Sequence, residues 1–238
     1  MCLLTYVPLD STNFLITSNR DENIKRIRAI PPKNYKFNGS KLICPLDPTS
    51  NGTWIATNSK YTLVILNGGI TKHTYSPPYR KSRGKIIIDF LEFNSLTNFY
   101  ENYDFSGIEP FTLLKFKHGS KLKISELRWD ENGKNLKRLD PSVPAIWSSV
   151  TLYSPEAIAN RKIHFESFLK ENEKDLSGKS LLEFHHLKND DDPENGNFMK
   201  RPNGIMTVNI TQIEILNTSK TIYFEEPISD FEQKYWVF

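Results

Sequence analysis

Two short apolar runs face each other across a turn at the start of the chain. Leu3-Leu4-Thr5-Tyr6-Val7 reads as a strand, Pro8, Asp10, Ser11, Thr12 and Asn13 read as a turn, and Phe14-Leu15-Ile16-Thr17 reads as a second strand. If the two pair as a hairpin, partner numbers sum to roughly 21 to 23, because the turn sets the register. The strand is followed by Ser18-Asn19-Arg20-Asp21-Glu22, five polar residues. The hairpin places Cys2 opposite Asn19, Arg20 or Asp21, and cross-strand neighbours have Cβ atoms about 4.5–5.5 Å apart.

Further along, residues 23–36 are basic around Pro31-Pro32 and read as an irregular, solvated loop. Short strands are expected at Lys41–Cys44, Thr53–Thr57 and Tyr61–Leu66, the last a nearly continuous apolar run that suits a buried strand. It ends in Asn67-Gly68-Gly69, which is turn chemistry. Ser82 is placed to cap a helix through Ile86–Leu91, and a short helix is expected near Leu96–Tyr103. Phe111–Lys117 and Lys121–Trp129 alternate as strands, followed by the turn signal Asp130-Glu131-Asn132-Gly133 and a continuation at Leu136–Leu139.

Ser154-Pro155-Glu156 opens a helix with a cap and a proline in its first turn. Its apolar stripe is Ile158, Ile163, Phe165, Phe168 and Leu169. Another helix is expected over Ser177–Leu187, a polar loop over Lys188–Gly204, and a terminal hairpin from Met206–Ile215 and Thr221–Phe224. Strands, helices, strands, helices and strands in that order read as α+β rather than regular βαβ. No internal repeat and no dividing linker is visible, so residues 1–238 read as a single domain.

Composition narrows the function classes. The chain has 238 residues, with 31 basic and 28 acidic side chains and a net charge of +3. That balance does not point to nucleic acid. No apolar run reaches the roughly 18 residues of a membrane helix, and the start lacks the charged and apolar regions of a signal peptide. Two cysteines, Cys2 and Cys44, make no disulfide framework. The expected compartment is the cytoplasm, where thiols stay reduced.

Candidate chemistry centres on Cys2. Clipping of Met1 would make it the first residue, with a thiol and a free α-amine together. The ordinary pKa values of these groups, about 7.7–8.0 and about 8.5, let one residue act as both nucleophile and base. No metal site is expected: His185 and His186 neighbour Asp190-Asp191-Asp192, but adjacent helical side chains diverge by about 100°. Arg80, Lys81, Arg83 and Lys85 read as a solvated basic face.

Met1-Cys2, Asn19-Arg20-Asp21-Glu22, Gly52-Thr53-Trp54-Ile55 and Leu66-Asn67-Gly68 together resemble the NRDE family, also called transport-and-Golgi-organisation-2 proteins. Ser82-Arg83-Gly84, Trp147-Ser148-Ser149, Thr151-Leu152-Tyr153 and Thr207–Gln212 fit further parts of that pattern. The family in turn is similar to N-terminal nucleophile (Ntn) hydrolases of the bile-salt hydrolase and penicillin V acylase type. What this implies is a four-layer αββα sandwich of two stacked antiparallel sheets flanked by helices.

The resemblance assigns roles. Cys2 is the nucleophile that attacks a linear C–N amide, Asp21 holds its amine, and Asn67 is an oxyanion donor or else a left-handed turn residue. Arg20 either binds a carboxylate or packs on the far side, Asn19 shares the Asp21 face, and Ser149 stands where a second oxyanion asparagine is expected. Ser18 stands where bile-salt hydrolases carry arginine. The implied function is a cysteine amidohydrolase or acyltransferase with a small acyl-amide substrate and no cofactor. The alternative is a non-catalytic carrier of haem or of a lipid or acyl-CoA, with Cys2 as a thiolate ligand or a structural residue.

Overall fold

The computed structural model describes residues 2–93, 95–216, 219–229 and 231–236. The chain forms two compact units. One joins residues 1–26 to 143–238, and the other spans residues 27–142.

The first unit is built on a six-stranded antiparallel sheet. Its strands are β1 (Leu3–Pro8), β2 (Phe14–Asn23), β10 (Ala145–Ser148), β11 (Ile205–Leu216), β12 (Ser219–Glu226) and β13 (Phe231–Trp236), in the order β10-β1-β2-β11-β12-β13. β1 and β2 form the hairpin expected from the turn. Leu3 lies opposite Asn19 and Val7 opposite Leu15, so partner numbers sum to 22. One correction concerns length: β2 does not stop at Thr17 but runs on through the polar cluster. Ser18, Asn19, Arg20 and Asp21 are buried, so their cost is met by hydrogen bonds rather than by solvent.

Two helices, α3 (Pro155–Glu171) and α4 (Gly178–His186), pack on this sheet through Val7, Leu15, Phe165, Leu181 and Phe184. Ser154 caps α3 by accepting from the Ala157 N–H, as its sequence implies, and Ser177 caps α4 in a reciprocal box with Ser180. The expected stripe of α3 needs correction. Ile158, Phe165, Phe168 and Leu169 pack against the core as expected, but Ile163 is 57% exposed, and Ala157 and Arg161 are buried instead, two turns and one turn before Phe165.

The second unit is a seven-stranded antiparallel sheet. Its strands are β3 (Ile30–Phe37), β4 (Ser40–Leu46), β5 (Ile55–Thr57), β6 (Tyr61–Asn67), β7 (Phe111–Lys117), β8 (Lys123–Asp130) and β9 (Gly133–Leu139), paired in chain order. Much of the segment expected to be an irregular loop is strand β3. It sits at the sheet edge with its register shifted between Ile30 and Lys33, where Pro31 and Pro32 break no interior ladder. α1 (Ile86–Asp89) and α2 (Leu96–Asn102) belong to this unit. α1 is shorter than expected, with single 3₁₀ turns before and after it. Ser82 makes no side-chain cap bond, whereas Ser95 caps α2 by accepting from the Asn98 N–H. After β6 the chain passes so close to β8 that a methyl at Gly69 would lie 2.1 Å from the Trp129 carbonyl oxygen, so glycine is required there.

Candidate active site

Cys2 lies just before β1, next to two strands. Its N–H donates to the Asn19 carbonyl at 3.2 Å on β2, and its own carbonyl accepts from the Ser149 N–H at 2.8 Å, just after β10. The side chain is 1% exposed and joins an apolar cluster with Tyr153, Ala157 and Met199. Among the described residues the one hydrogen bond of Sγ is to the Asp21 carbonyl oxygen, at 3.7 Å. Among the described residues no imidazole and no carboxylate oxygen hydrogen-bonds the sulfur. Burial pushes the thiol up to about 11; the charge of Asp21 adds to the rise, while the positive chain terminus, the hydrogen bond to the Asp21 backbone and, least, Arg161 oppose it.

Asp21 is fixed by its neighbours. One carboxylate oxygen accepts from the Tyr153 hydroxyl at 2.6 Å, and the other accepts from the Thr207 hydroxyl at 2.7 Å. Thr207 lies directly opposite Asp21 across the β2–β11 ladder, and the register slips by one residue between Thr207 and Asn209. That bulge at Val208 turns the strand beside the site. Thr207 also accepts from the Met199 N–H at 3.1 Å, so its hydroxyl proton is left for Asp21. Tyr153 is a steady donor, because burial and then Asp21 raise its pKa well above the ordinary value.

Other residues singled out in the sequence have separate jobs. Arg20 is 6% exposed, pairs with Glu22 at 3.5 Å and donates to the Asn209 side chain at 3.4 Å. Ser149 is buried, and both its hydroxyl and carbonyl oxygens accept from the Leu152 N–H, each at 3.3 Å. Its carbonyl also accepts from the Tyr153 N–H at 3.1 Å, so Ser149 shapes the turn that delivers Tyr153. Asn67 belongs to the second unit, where it ends β6 half-buried. The left-handed residue of that turn is Gly68, at φ 91°, and not Asn67.

Asn19 lies on the same β2 face as Asp21 but is locked to α4 and the loop after it. Its amide nitrogen donates to the carbonyls of His185 at 3.0 Å and Asn197 at 2.8 Å. Its oxygen therefore faces His185 Nδ1, at 2.6 Å, and Nδ1 is the protonated nitrogen. Nε2 then accepts from the Thr5 hydroxyl at 2.7 Å. Burial, with lesser contributions from His186 and Arg161, lowers His185 to about 3, so it is neutral. His186 turns elsewhere and pairs with Glu225 at 2.5 Å.

A histidine depressed in the folded state takes up protons on unfolding, so stability rises with pH across its window and is fully present above the unfolded value of about 6.5. Between about 6.5 and 3 the loss approaches about 1.4 kcal/mol per pH unit. Urea titrations from pH 7 to 5 are therefore expected to be steeper in pH for the native protein than for His185→Gln. Equal pH slopes would refute the assignment.

Four participants were not picked out from the sequence: Tyr153, Thr207, Arg161 and Met199. Tyr153 closes Thr151-Leu152-Tyr153 and Thr207 opens Thr207–Gln212, so two of them stood inside segments already noted. Arg161 had a local signal as the lone cation between Ala157 and Phe165 on one helix face.

The fold matches solved structures along nearly its whole length. A mutant C2A conjugated bile acid hydrolase from Clostridium perfringens aligns with a TM-score of 0.56 at 9% identity, covering 99% of this chain and 92% of that one. Penicillin V acylase from Agrobacterium tumefaciens aligns with a TM-score of 0.55 at 10% identity, covering 99% and 85%. At those identities the likeness is one of fold: α+β, with two antiparallel sheets and few helices, as in the Ntn hydrolases. No curated protein matches the sequence. Among the described residues no helix is long and apolar enough to cross a membrane. The family model for Transport and Golgi organisation 2 matches residues 1–227, and the chain belongs to that family.

Proposed function

We infer that the protein is an N-terminal cysteine hydrolase or acyltransferase that acts on a linear C–N amide once Met1 is removed. One observation carries this reading: the sulfur of Cys2 is enclosed, and among the described residues its hydrogen bond goes to the Asp21 backbone oxygen and to no side-chain base. Burial keeps such a thiol protonated at neutral pH. The base within reach is then the α-amine that Cys2 acquires when it begins the chain. The Ntn-hydrolase fold supports the same reading.

The steps balance. The thiol proton moves to the α-amine, and Asp21, anchored by Tyr153 and Thr207, favours the ammonium so formed. Sγ attacks the amide carbonyl carbon and forms the C–S bond. The C–N bond breaks as the ammonium returns its proton to the leaving amine. Water, or an acceptor amine for transfer, then loses a proton to the α-amine and cleaves the thioester, restoring the thiol.

The test is turnover of a panel of linear acyl-amides by Met1-free protein. Native protein is expected to hydrolyse at least one member, and Cys2→Ala none. Saturable binding of haem or an acyl-CoA with no turnover anywhere in the panel would instead favour the carrier reading.

A further inference from the structure

A cavity of about 720 Å³ opens between the first half of α3 and the loop of residues 187–197. Its volume is in the range of small-molecule sites, about 300–1,000 Å³. Arg161 lines it, only 2% exposed. Nε donates to the Asn195 carbonyl at 3.3 Å and Nη2 to the Gly196 carbonyl. Nη1 is buried with no partner, and no carboxylate pairs with this guanidinium among the described residues. A buried cation with an unpartnered N–H and no carboxylate in contact is costly, and a planar carboxylate is the group that best fits its fork.

The cavity's outer lining has the opposite character. Glu156, Asp190 and Asp191 are exposed and without ion-pair or side-chain hydrogen-bond partners among the described residues. Asp192 is already committed to the Asn195 amide, at 2.9 Å, and Lys188 lies over the Phe198 ring. This acidic rim disfavours a plain anion and repels a phosphate dianion more strongly. A ligand with an ammonium at one end and a carboxylate at the other satisfies both parts.

We propose that this cavity binds a small zwitterion, with its carboxylate on Arg161 and its ammonium among Glu156, Asp190 and Asp191. Arg161 also stacks on the Tyr153 ring at 3.6 Å, and Tyr153 holds Asp21, so the occupant sits on the support of the candidate active site. The assignment does not require Cys2 to be a nucleophile, and Cys2→Ala protein is expected to bind as the native protein does.

Isothermal titration of the full chain with ω-amino acids from glycine to 6-aminohexanoate tests it, with hexanoate, hexylammonium and inorganic phosphate as single-charge or anionic probes. At least one ω-amino acid is expected to bind saturably. Arg161→Met is expected to weaken it by about tenfold or more, as loss of a charge-assisted pair does. The doubly substituted rim, Asp190→Asn with Asp191→Asn, lies on the surface and serves even if Arg161→Met fails to fold. It is expected to weaken the ω-amino acid by about threefold or more while leaving hexanoate unchanged or tighter. The proposal is overturned if no ω-amino acid binds, if hexanoate or phosphate binds as tightly, or if the rim substitutions have no effect.

Discussion

Protein that begins at Cys2 is expected to turn over an acyl-amide about 10²–10⁴ times faster than the same chain keeping Met1. One nitrogen makes the difference. With Met1 attached, the nitrogen of Cys2 is a peptide N–H that donates to the Asn19 carbonyl, and its lone pair is delocalised into the amide and accepts no proton. After cleavage it is an amine with an ordinary pKa of about 7.7–8.0, two bonds from the carbon that bears the sulfur. Among the described residues Sγ makes its hydrogen bond to the Asp21 backbone oxygen, which cannot take its proton, and the Asp21 carboxylate is turned to Tyr153 and Thr207. The comparison needs two preparations whose N-termini are confirmed by mass and one substrate from the panel. Equal rates would show that the α-amine is not the base.

Asp21→Asn is expected to be the most damaging single-atom change. Both hydroxyls at this site point their protons at the carboxylate. An amide offers one acceptor oxygen and one donor nitrogen, so one hydroxyl proton loses its acceptor in an enclosure shared with Ala157 and Met199. An unsatisfied buried donor costs about 1–3 kcal/mol, which lowers Tm by about 2–4 °C per kcal/mol for a chain of this size. Activity is expected to fall further than stability does, by about 10²-fold or more, because the amine also loses its anion. Thr207→Val separates the effects: it removes one donor and keeps the carboxylate, so it is expected to retain more activity than Asp21→Asn. A melting curve and a rate for each variant check this, and an Asp21→Asn protein with native activity would remove Asp21 from the mechanism.

The hairpin register was readable because turn residues between two apolar runs leave little freedom. The structure has Leu3 opposite Asn19, in the middle of the expected range, and Cys2 falls beside Asn19 and Asp21 as that spacing implies. The strands β7 and β8, the hairpin of β11 and β12 and the capped start of α3 were also legible, since period and cap chemistry are local. The missed strands are edge strands. β3 carries two prolines, β10 follows Pro144, and β13 closes the other side of its sheet, where one neighbour suffices and the sequence need not be apolar on both faces. The supporting residues of the site were harder to see. Tyr153 and Thr207 reach Asp21 across 132 and 186 residues, and no local pattern reports a contact made by a loop and a bulged strand. Arg161 broke the expected apolar stripe because it is buried by stacking on Tyr153, with two backbone carbonyls taking its protons.

Intact-mass spectrometry of the protein quenched during turnover of a linear acyl-amide shows whether Cys2 is the nucleophile. The expected species lacks Met1 and carries one acyl group, located on Cys2 by peptide mapping, and is absent from both Cys2→Ala and Met1-retaining protein. A Met1-free protein that consumes the substrate with no acyl group on Cys2, or an acyl group that forms equally well with Met1 in place, would contradict it.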